Sequence, residues 1–528
     1  MSERTARLHA SPRSLRVAGE GGTGPAAGSG TVTERTRPLR RWLARVVWAA
    51  ALIAVTVVIG GAVSARRRLP DLDAWHRVVP ADATASDLER ATFADYLRRE
   101  DAVFAEVRDR VERTSPGADA PPANRYDRRS RSHPSRLGWD ANRTYEVTPA
   151  GHVAGGALLL HGLTDSPYSM RAVAQTLQRC GYYSLALRMP GHGTVPAGLV
   201  TAVWEDWLAA VRLGVRHVRA TIGPDRPLLI VGYSNGGALA LKYALDQLET
   251  GNGARPARLV LISPMIGVQP FAWMARVISL LGPVPYFEKA RWLDVIPEYN
   301  PYKYNSFPAN AGLQSWRLTR ALQAQIVRVK AAGRLGALPP VLAFQSLVDA
   351  TVSTAAVVQL LFDQLDRNGS ELVLFDINRL SGMEPFIDPS AAAVLWRLTD
   401  RSPRRYARSL VTNRDRTSLD AVARSIGPDA TAITTQPLGL AWPADLFSLS
   451  HVALPFPPDD EVYGRSARTS APDVVRLGVL SPRGERAVLT VPLDTLMRVS
   501  CNPFFPYVAA RLTAWTAPPV PSPPPSLP

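Results

Sequence analysis

Leu228-Leu229-Ile230-Val231-Gly232-Tyr233-Ser234-Asn235-Gly236-Gly237-Ala238-Leu239-Ala240-Leu241 is the stretch on which the reading of the chain turns. Residues 228–231 are continuously apolar, as a strand buried on both faces should be, and 238–241 suit a helix, so a sharp turn lies between them. Gly232 and Gly236 stand two residues either side of Ser234, where a side chain would collide with a strained turn. The pattern is that of a nucleophile elbow, which presents a serine hydroxyl at a helix N-terminus, where dipole and amides favour an anion. G-x-S-x-G arises by chance about 0.2 times in a chain of this length at average composition. It occurs once here, between the expected strand and the expected helix.

Outward from this turn, from about Asn142, short apolar runs alternate with helical stretches, which predicts an α/β fold on a mostly parallel sheet. The expected strands are Ala157–Leu160, Ser184–Leu187, Leu228–Val231, Leu259–Ile262, Val341–Phe344 and Leu372–Phe375. A serine nucleophile needs a base, and histidine titrates in the right range. Seven histidines (His9, His76, His133, His152, His161, His192, His217) precede Ser234 and only His451 follows it, so the chain order nucleophile, acid, base selects His451. Asp349, just past the strand Val341–Phe344, is the expected acid, with Asp376 as its rival. The oxyanion hole is expected from the backbone amides of Asn235 and of Leu163, in the loop His161-Gly162-Leu163-Thr164-Asp165. His161 is weighed as an alternative base and as a residue that shapes this loop.

The composition, 46% hydrophobic and 20% charged over 528 residues, excludes a disordered or collagen-like polymer. Cys180 and Cys501 are too few for a disulfide scaffold and show no metal-ligand spacing, although one bridge between them stays open. The net charge of +16 is concentrated at the N-terminus: residues 1–68 hold twelve Arg, no Lys and three Glu, a balance of +9. Only four of the 61 basic residues are Lys, and no nucleic-acid partner is expected.

Val46–Ala65 runs twenty residues without a charge, which at about 1.5 Å per residue spans about 30 Å of hydrocarbon. Arg40, Arg41 and Arg45 flank it on one side and Arg66, Arg67 and Arg68 on the other, so a transmembrane helix at 46–65 is expected. The expected location is a bacterial inner membrane, single-pass, with the large domain outside the cytoplasm; a cleaved signal peptide ending near Val63-Ser64-Ala65 is the competing reading. The domain reading is a basic tail at 1–45, the membrane helix, a juxtamembrane helical segment and linker at 66–140, a main domain at 141–516 and a proline-rich, unfolded tail at 517–528. Within 66–140, residues 86–113 are expected to form a helix opened by a Ser86/Glu89 capping box, and Ser115–Leu137 an irregular connection.

These residues together resemble the α/β-hydrolase superfamily and, more narrowly, its monoacylglycerol lipase, lysophospholipase and small carboxylesterase group. The resemblance is carried by LLLHGLTDSPYSM at 158–170, LRMPGHGT at 187–194, WEDW at 204–207, GYSNGG at 232–237 and DATV at 349–352. It implies an α/β-hydrolase fold and serine-dependent hydrolysis of a carboxylic ester through an acyl-enzyme, on a small-molecule or lipid ester, with no cofactor and no metal. Residues 264–336 are expected to form a cap, whose Phe271, Trp273, Met274, Ile278, Leu280, Leu281, Tyr286, Phe287, Trp292 and Tyr304 are candidates for lining an acyl pocket. Asp349 and His451 stand 102 positions apart, so residues 378–445 form an insertion that the resemblance does not explain. A serine aminopeptidase or acyltransferase uses the same machinery, and a silent hydrolase-fold protein whose insertion binds a partner is the non-enzymatic alternative.

Overall fold

A computed structural model describes residues 41–49, 52, 56, 60, 63, 64, 67–114, 123–267, 285–349, 351–387, 402–466, 474–480, 489 and 491–517. The chain divides into two units, 1–56 and 57–528. In the first, residues 41–49 are helical, and Trp42, Leu43, Val46, Val47, Trp48 and Leu52 are exposed. Most of the apolar run 46–65 lies outside the described residues, as do the tail before 41 and residues 518–528; among the described residues no helix is long and apolar enough to cross a membrane.

The second unit is built on one sheet. Its strands are β1 (Tyr145–Val147), β2 (Gly155–Leu160), β3 (Tyr182–Leu187), β4 (Leu228–Tyr233), β5 (Arg258–Ile262), β8 (Val341–Ser346), β9 (Glu371–Phe375), β10 (Ala407–Asn413), β11 (Asp420–Ile426) and β12 (Thr434–Ala441), while β6 (Trp292–Asp294) and β7 (Phe307–Pro308) form a separate pair. The order β1-β3-β2-β4-β5-β8-β9-β10-β11-β12 is parallel from β3 through β10 and antiparallel at both ends. Every residue of β2, β3, β4, β8 and β9 is buried, which explains why these strands read as unbroken apolar runs. The order reverses between β2 and β4, so the loops that follow these two strands open a crevice at their carboxyl ends.

The helices that matter here are α1 (Ala85–Arg90), α2 (Phe93–Arg110), α3 (Arg171–Arg179), α4 (Trp204–Ile222), α5 (Asn235–Thr250), α6 (Ala309–Ala331), α7 (Thr354–Leu360), α8 (Leu493–Met497) and α9 (Phe505–Thr516). Helix α4 places Trp207, Val211, Val215, Val218 and Ile222 against one face of the sheet, in the same cluster as Leu158, Leu185, Leu239 and Leu261. The other face is covered by Val173 and Leu177 of α3 and Val508 and Leu512 of α9, against Leu159, Val231, Val260 and Phe344. This is the mostly parallel, doubly covered sheet of an α/β-hydrolase fold.

One expectation needs correction. The helix expected over 86–113 is two helices, because two threonines each start one: Thr84 accepts from the Asp87 amide and Thr92 from the Asp95 amide, while Ser86 and Glu89 lie inside α1. This segment packs on the main domain. The fully buried Arg188 donates to Asp82 at 2.7 and 3.0 Å and to Glu100 at 2.9 Å, and Leu88 and Tyr96 join the main core. Asp206 of the WEDW motif accepts from the Ala85 amide at 2.7 Å. Cys180 and Cys501 are both free thiols, so the bridge left open is not made. The insertion 378–445 contributes β10, β11 and β12, which extend the main sheet beyond β9.

Candidate active site

Ser234 sits between the last residue of β4 and the first of α5 at φ 53° and ψ −114°, a left-handed conformation that L-residues avoid. The elbow is held from both sides. The Ser234 amide donates to Ile262 O at 2.9 Å, and its carbonyl accepts from the Met265 amide at 3.0 Å. A Cβ on Gly232 would lie 2.3 Å from Gly236 O, and one on Gly236 2.3 Å from Leu160 O, so both positions exclude any side chain. The glycine pattern is thus a statement about backbone crowding.

Ser234 and His451 line one cavity of about 300 Å3, with Leu163, Tyr233, Met265, Ile296, Lys303, Tyr304, Phe307, Arg498 and Val499 among the other walls. The serine is 4% exposed and the histidine 8%. Leu163 borders this space from the loop after β2, and Asn235, the first residue of α5, directly follows Ser234. Asn235 has no helical acceptor for its N–H at that position, and the Leu163 N–H has no acceptor among the described residues. The Asn235 side chain is pinned by the Ser315 hydroxyl of α6 at 3.0 Å.

Asp349 lies in the loop after β8, with its side chain almost fully buried. It accepts from the Ser263 hydroxyl at 2.6 Å, from the amides of Thr351 and Val352 at 2.9 and 3.0 Å, and from Gln345 at 3.2 Å. Burial raises its carboxyl above the usual range, and the hydrogen bonds from Ser263, then Val352 and Thr351, offset only part of that rise. Its Oδ1 stands 3.9 Å from His451 Nδ1, beyond hydrogen-bond range. That nitrogen instead receives an N–H from Arg498 at 3.1 Å. Arginine can only donate, so in this arrangement the ring hydrogen of His451 is on Nε2. Burial, and then the positive charges of Arg498 and Lys303, lower the His451 pKa well below its ordinary value.

The rival acid is occupied elsewhere. Asp376 accepts from Arg379 at 2.8 and 3.0 Å, from the Thr412 hydroxyl at 2.7 Å and from the Ile377 amide at 2.8 Å, all at the β9–β10 end of the sheet. His161 uses both ring nitrogens locally: Nε2 accepts from the Met189 amide at 3.0 Å, and Nδ1 meets Gly162 O at 2.9 Å. It holds the loop on which Leu163 sits.

Of the cap residues, 271–281 lie outside the described residues. Tyr304 lines the cavity, with its hydroxyl accepting from the Thr194 amide at 2.7 Å. Trp292 does not; it packs with Leu72 and Val295. Three polar residues of the site were not anticipated: Ser263, Lys303 and Arg498. Ser263 directly follows β5, which runs beside β8, a position that strand-end logic would reach. Lys303 donates to Leu163 O at 3.2 Å and to the Thr164 hydroxyl at 3.1 Å, and burial lowers its pKa. Arg498 follows α8 on an irregular segment with no sequence signal. Among the described residues no cluster of His, Cys, Asp and Glu suits a metal ion.

Residues 151–377 match the family described as Serine aminopeptidase, S33. The thermostable monoacylglycerol lipase of Bacillus sp. (strain H-257) is 27% identical over 180 residues, which is 33% of this chain and 65% of the lipase, so the chain spans just under two thirds of that relative. Among solved structures, one from work on the metagenome-derived lipolytic enzymes LipS and LipT is 21% identical with a TM-score of 0.36, covering 49% of this chain and 98% of the other. The monoacylglycerol lipase of Paleococcus ferrophilus is 17% identical with a TM-score of 0.33, covering 48% and 98%. The sheet order and the left-handed serine at its switch point are those of an α/β-hydrolase fold, and residues 151–377 of it are similar to that hydrolase family.

Proposed function

We propose that the chain is a serine hydrolase of carboxylic esters, with Ser234 as nucleophile, His451 as general base and Asp349 as the acid that orients it. The observation that carries this reading is Ser234 itself, held at φ 53° at the head of α5 in the same cavity as the one histidine that follows it in the chain. In the proposed reaction Ser234 Oγ attacks the carbonyl carbon while His451 Nε2 takes its proton. The carbonyl oxygen becomes an oxyanion facing the N–H groups of Leu163 and Asn235. The proton passes to the leaving alkoxide as the ester C–O bond breaks, and water then releases the acid from the acyl-enzyme. For His451 to act as base, its hydrogen must be on Nδ1, facing Asp349. A movement of about 1 Å closes the present gap to hydrogen-bond length once Arg498 turns away.

The apolar walls Met265, Ile296, Phe307, Val452 and Val499 suit an acyl chain, and monoacylglycerol and lysophospholipid esters are the proposed substrate class. The uncharged run 46–65 is proposed as a membrane anchor that keeps the enzyme in a bacterial inner membrane with its domain outside the cytoplasm. Labelling of the purified chain and of Ser234→Ala with a fluorophosphonate probe, with the adduct located by mass spectrometry, tests the reading. Labelling confined to Ser234, followed by turnover of acyl esters over peptide amides, is expected. A folded protein that does not label would instead be a silent hydrolase-fold binding protein.

A further inference from the structure

Two cationic side chains, Lys303 and Arg498, line the cavity that holds Ser234, and neither has a carboxylate within 4.0 Å among the described residues. They stand at different places. The Lys303 ammonium is beside the loop of Leu163 and Thr164. Arg498 is exposed, donates to His451 Nδ1 at 3.1 Å and to the Thr351 hydroxyl, and borders a second cavity of about 660 Å3, so its guanidinium has room to turn.

Their placement has two consequences if the serine-hydrolase reading above is right. His451 must become an imidazolium during the reaction; Asp349 at 3.9 Å supports that charge, the two cations close by oppose it, and negative charge entering with the substrate would offset them. The hydrogen bond from Arg498 also keeps His451 in the tautomer whose Nε2 carries the hydrogen and cannot accept the serine proton. An anion offered to the guanidinium supplies a stronger, charge-assisted acceptor than a neutral imidazole. The group that His451 protonates is the leaving alkoxide, so the alcohol half of the ester lies beside His451 Nε2, in the cavity that Arg498 and Lys303 also line.

We infer that the site prefers esters whose alcohol carries an anionic group, a phosphate or a carboxylate, which Arg498 and Lys303 recognise. Binding draws Arg498 away from His451 Nδ1, and Asp349 takes its place. In the reaction the acyl C–O bond breaks, the Ser234 Oγ–acyl bond forms, the serine proton passes through His451 to the alkoxide oxygen, and the anionic group departs on the alcohol. Arg498 acts on the chemistry through His451 and is a positioning residue as well as a recognition residue.

The test is kcat/KM of the full chain on three esters with one acyl chain in the same neutral detergent micelles: 1-oleoylglycerol, its 3-phosphate, and the oleoyl ester of glycerate. The inference expects one or both anionic esters to exceed the neutral one by about tenfold or more, as a charge-assisted contact would give; which of them leads separates phosphate from carboxylate. Arg498→Gln should collapse that ratio to within about twofold, chiefly through KM, and Lys303→Met should reduce it. A loss of equal size on all three esters in both variants would mean a merely structural role and overturn the inference. A wild-type preference for the neutral ester would overturn it too, while fluorophosphonate labelling of Ser234 left the hydrolase reading standing. No turnover of any ester and no labelling would bring down both together.

Discussion

Ser234 and His451 face one cavity from supports of different kinds. The serine is fixed by backbone: the end of β4, the start of α5 and two glycines with no space for a Cβ. The histidine begins a single helical turn, His451–Ala453, and is placed by side chains: the Ser450 hydroxyl on Arg498 O, Arg498 on the ring, and Asn502 donating to Leu454 O. Backbone geometry tolerates one conformation, whereas side-chain contacts have alternatives, and the 3.9 Å gap to Asp349 is where that difference is visible. On the proposed mechanism, the serine side is ready for reaction and the histidine side is one contact away from it.

Five substitutions break or sharpen this contrast. Asp349→Asn should lower kcat by up to about 10^4, as expected when the orienting acid is lost, and Asp376→Asn should leave kcat near wild type, read by steady-state ester hydrolysis. The reverse pattern would move the acid to the other end of the sheet. Gly236→Ala should destabilise the fold by about 3 kcal/mol, because its Cβ meets the Leu160 carbonyl at 2.3 Å, seen as a lower denaturation midpoint. Asn502→Ala should cost only about 1–2 kcal/mol, since it removes the acceptor of the Phe504 amide and the donor to Leu454 O, yet reduce activity at temperatures where the protein is still folded. The smallest effect concerns pH. With the His451 pKa held below the ordinary 6.5, the imidazole stays neutral as pH falls through that value, so the acid limb of kcat/KM should lie below it. Lys303→Met removes one of the depressing charges and should move that limb upward by less than about one unit, measured on an ester stable across the range.

What the sequence revealed follows the same division. The six expected strands fall within β2, β3, β4, β5, β8 and β9, because burial on both faces forces an unbroken apolar run. The elbow was readable because crowding dictates glycine at 232 and 236. Strands β10, β11 and β12 were not, since Arg408, Arg424 and the polar Thr434-Thr435-Gln436 interrupt any apolar run on strands with one wetter face. The start of α1 was misplaced because Ser86 and Glu89 match a capping pattern as well as Thr84 and Asp87 do, and only the backbone entering the helix distinguishes them. Arg498 and Lys303 reach the site from irregular segments, and no spacing rule relates them to Ser234.

The sheet ends at both margins on strands ill suited to recruit another chain. At one margin β1 has only three residues. At the other, β12 carries Pro437, which has no N–H to offer, Gly439 at φ 65°, and a register shift against β11. An edge this interrupted is a poor template for a foreign strand, so the insertion lengthens the sheet without leaving it prone to edge-to-edge aggregation.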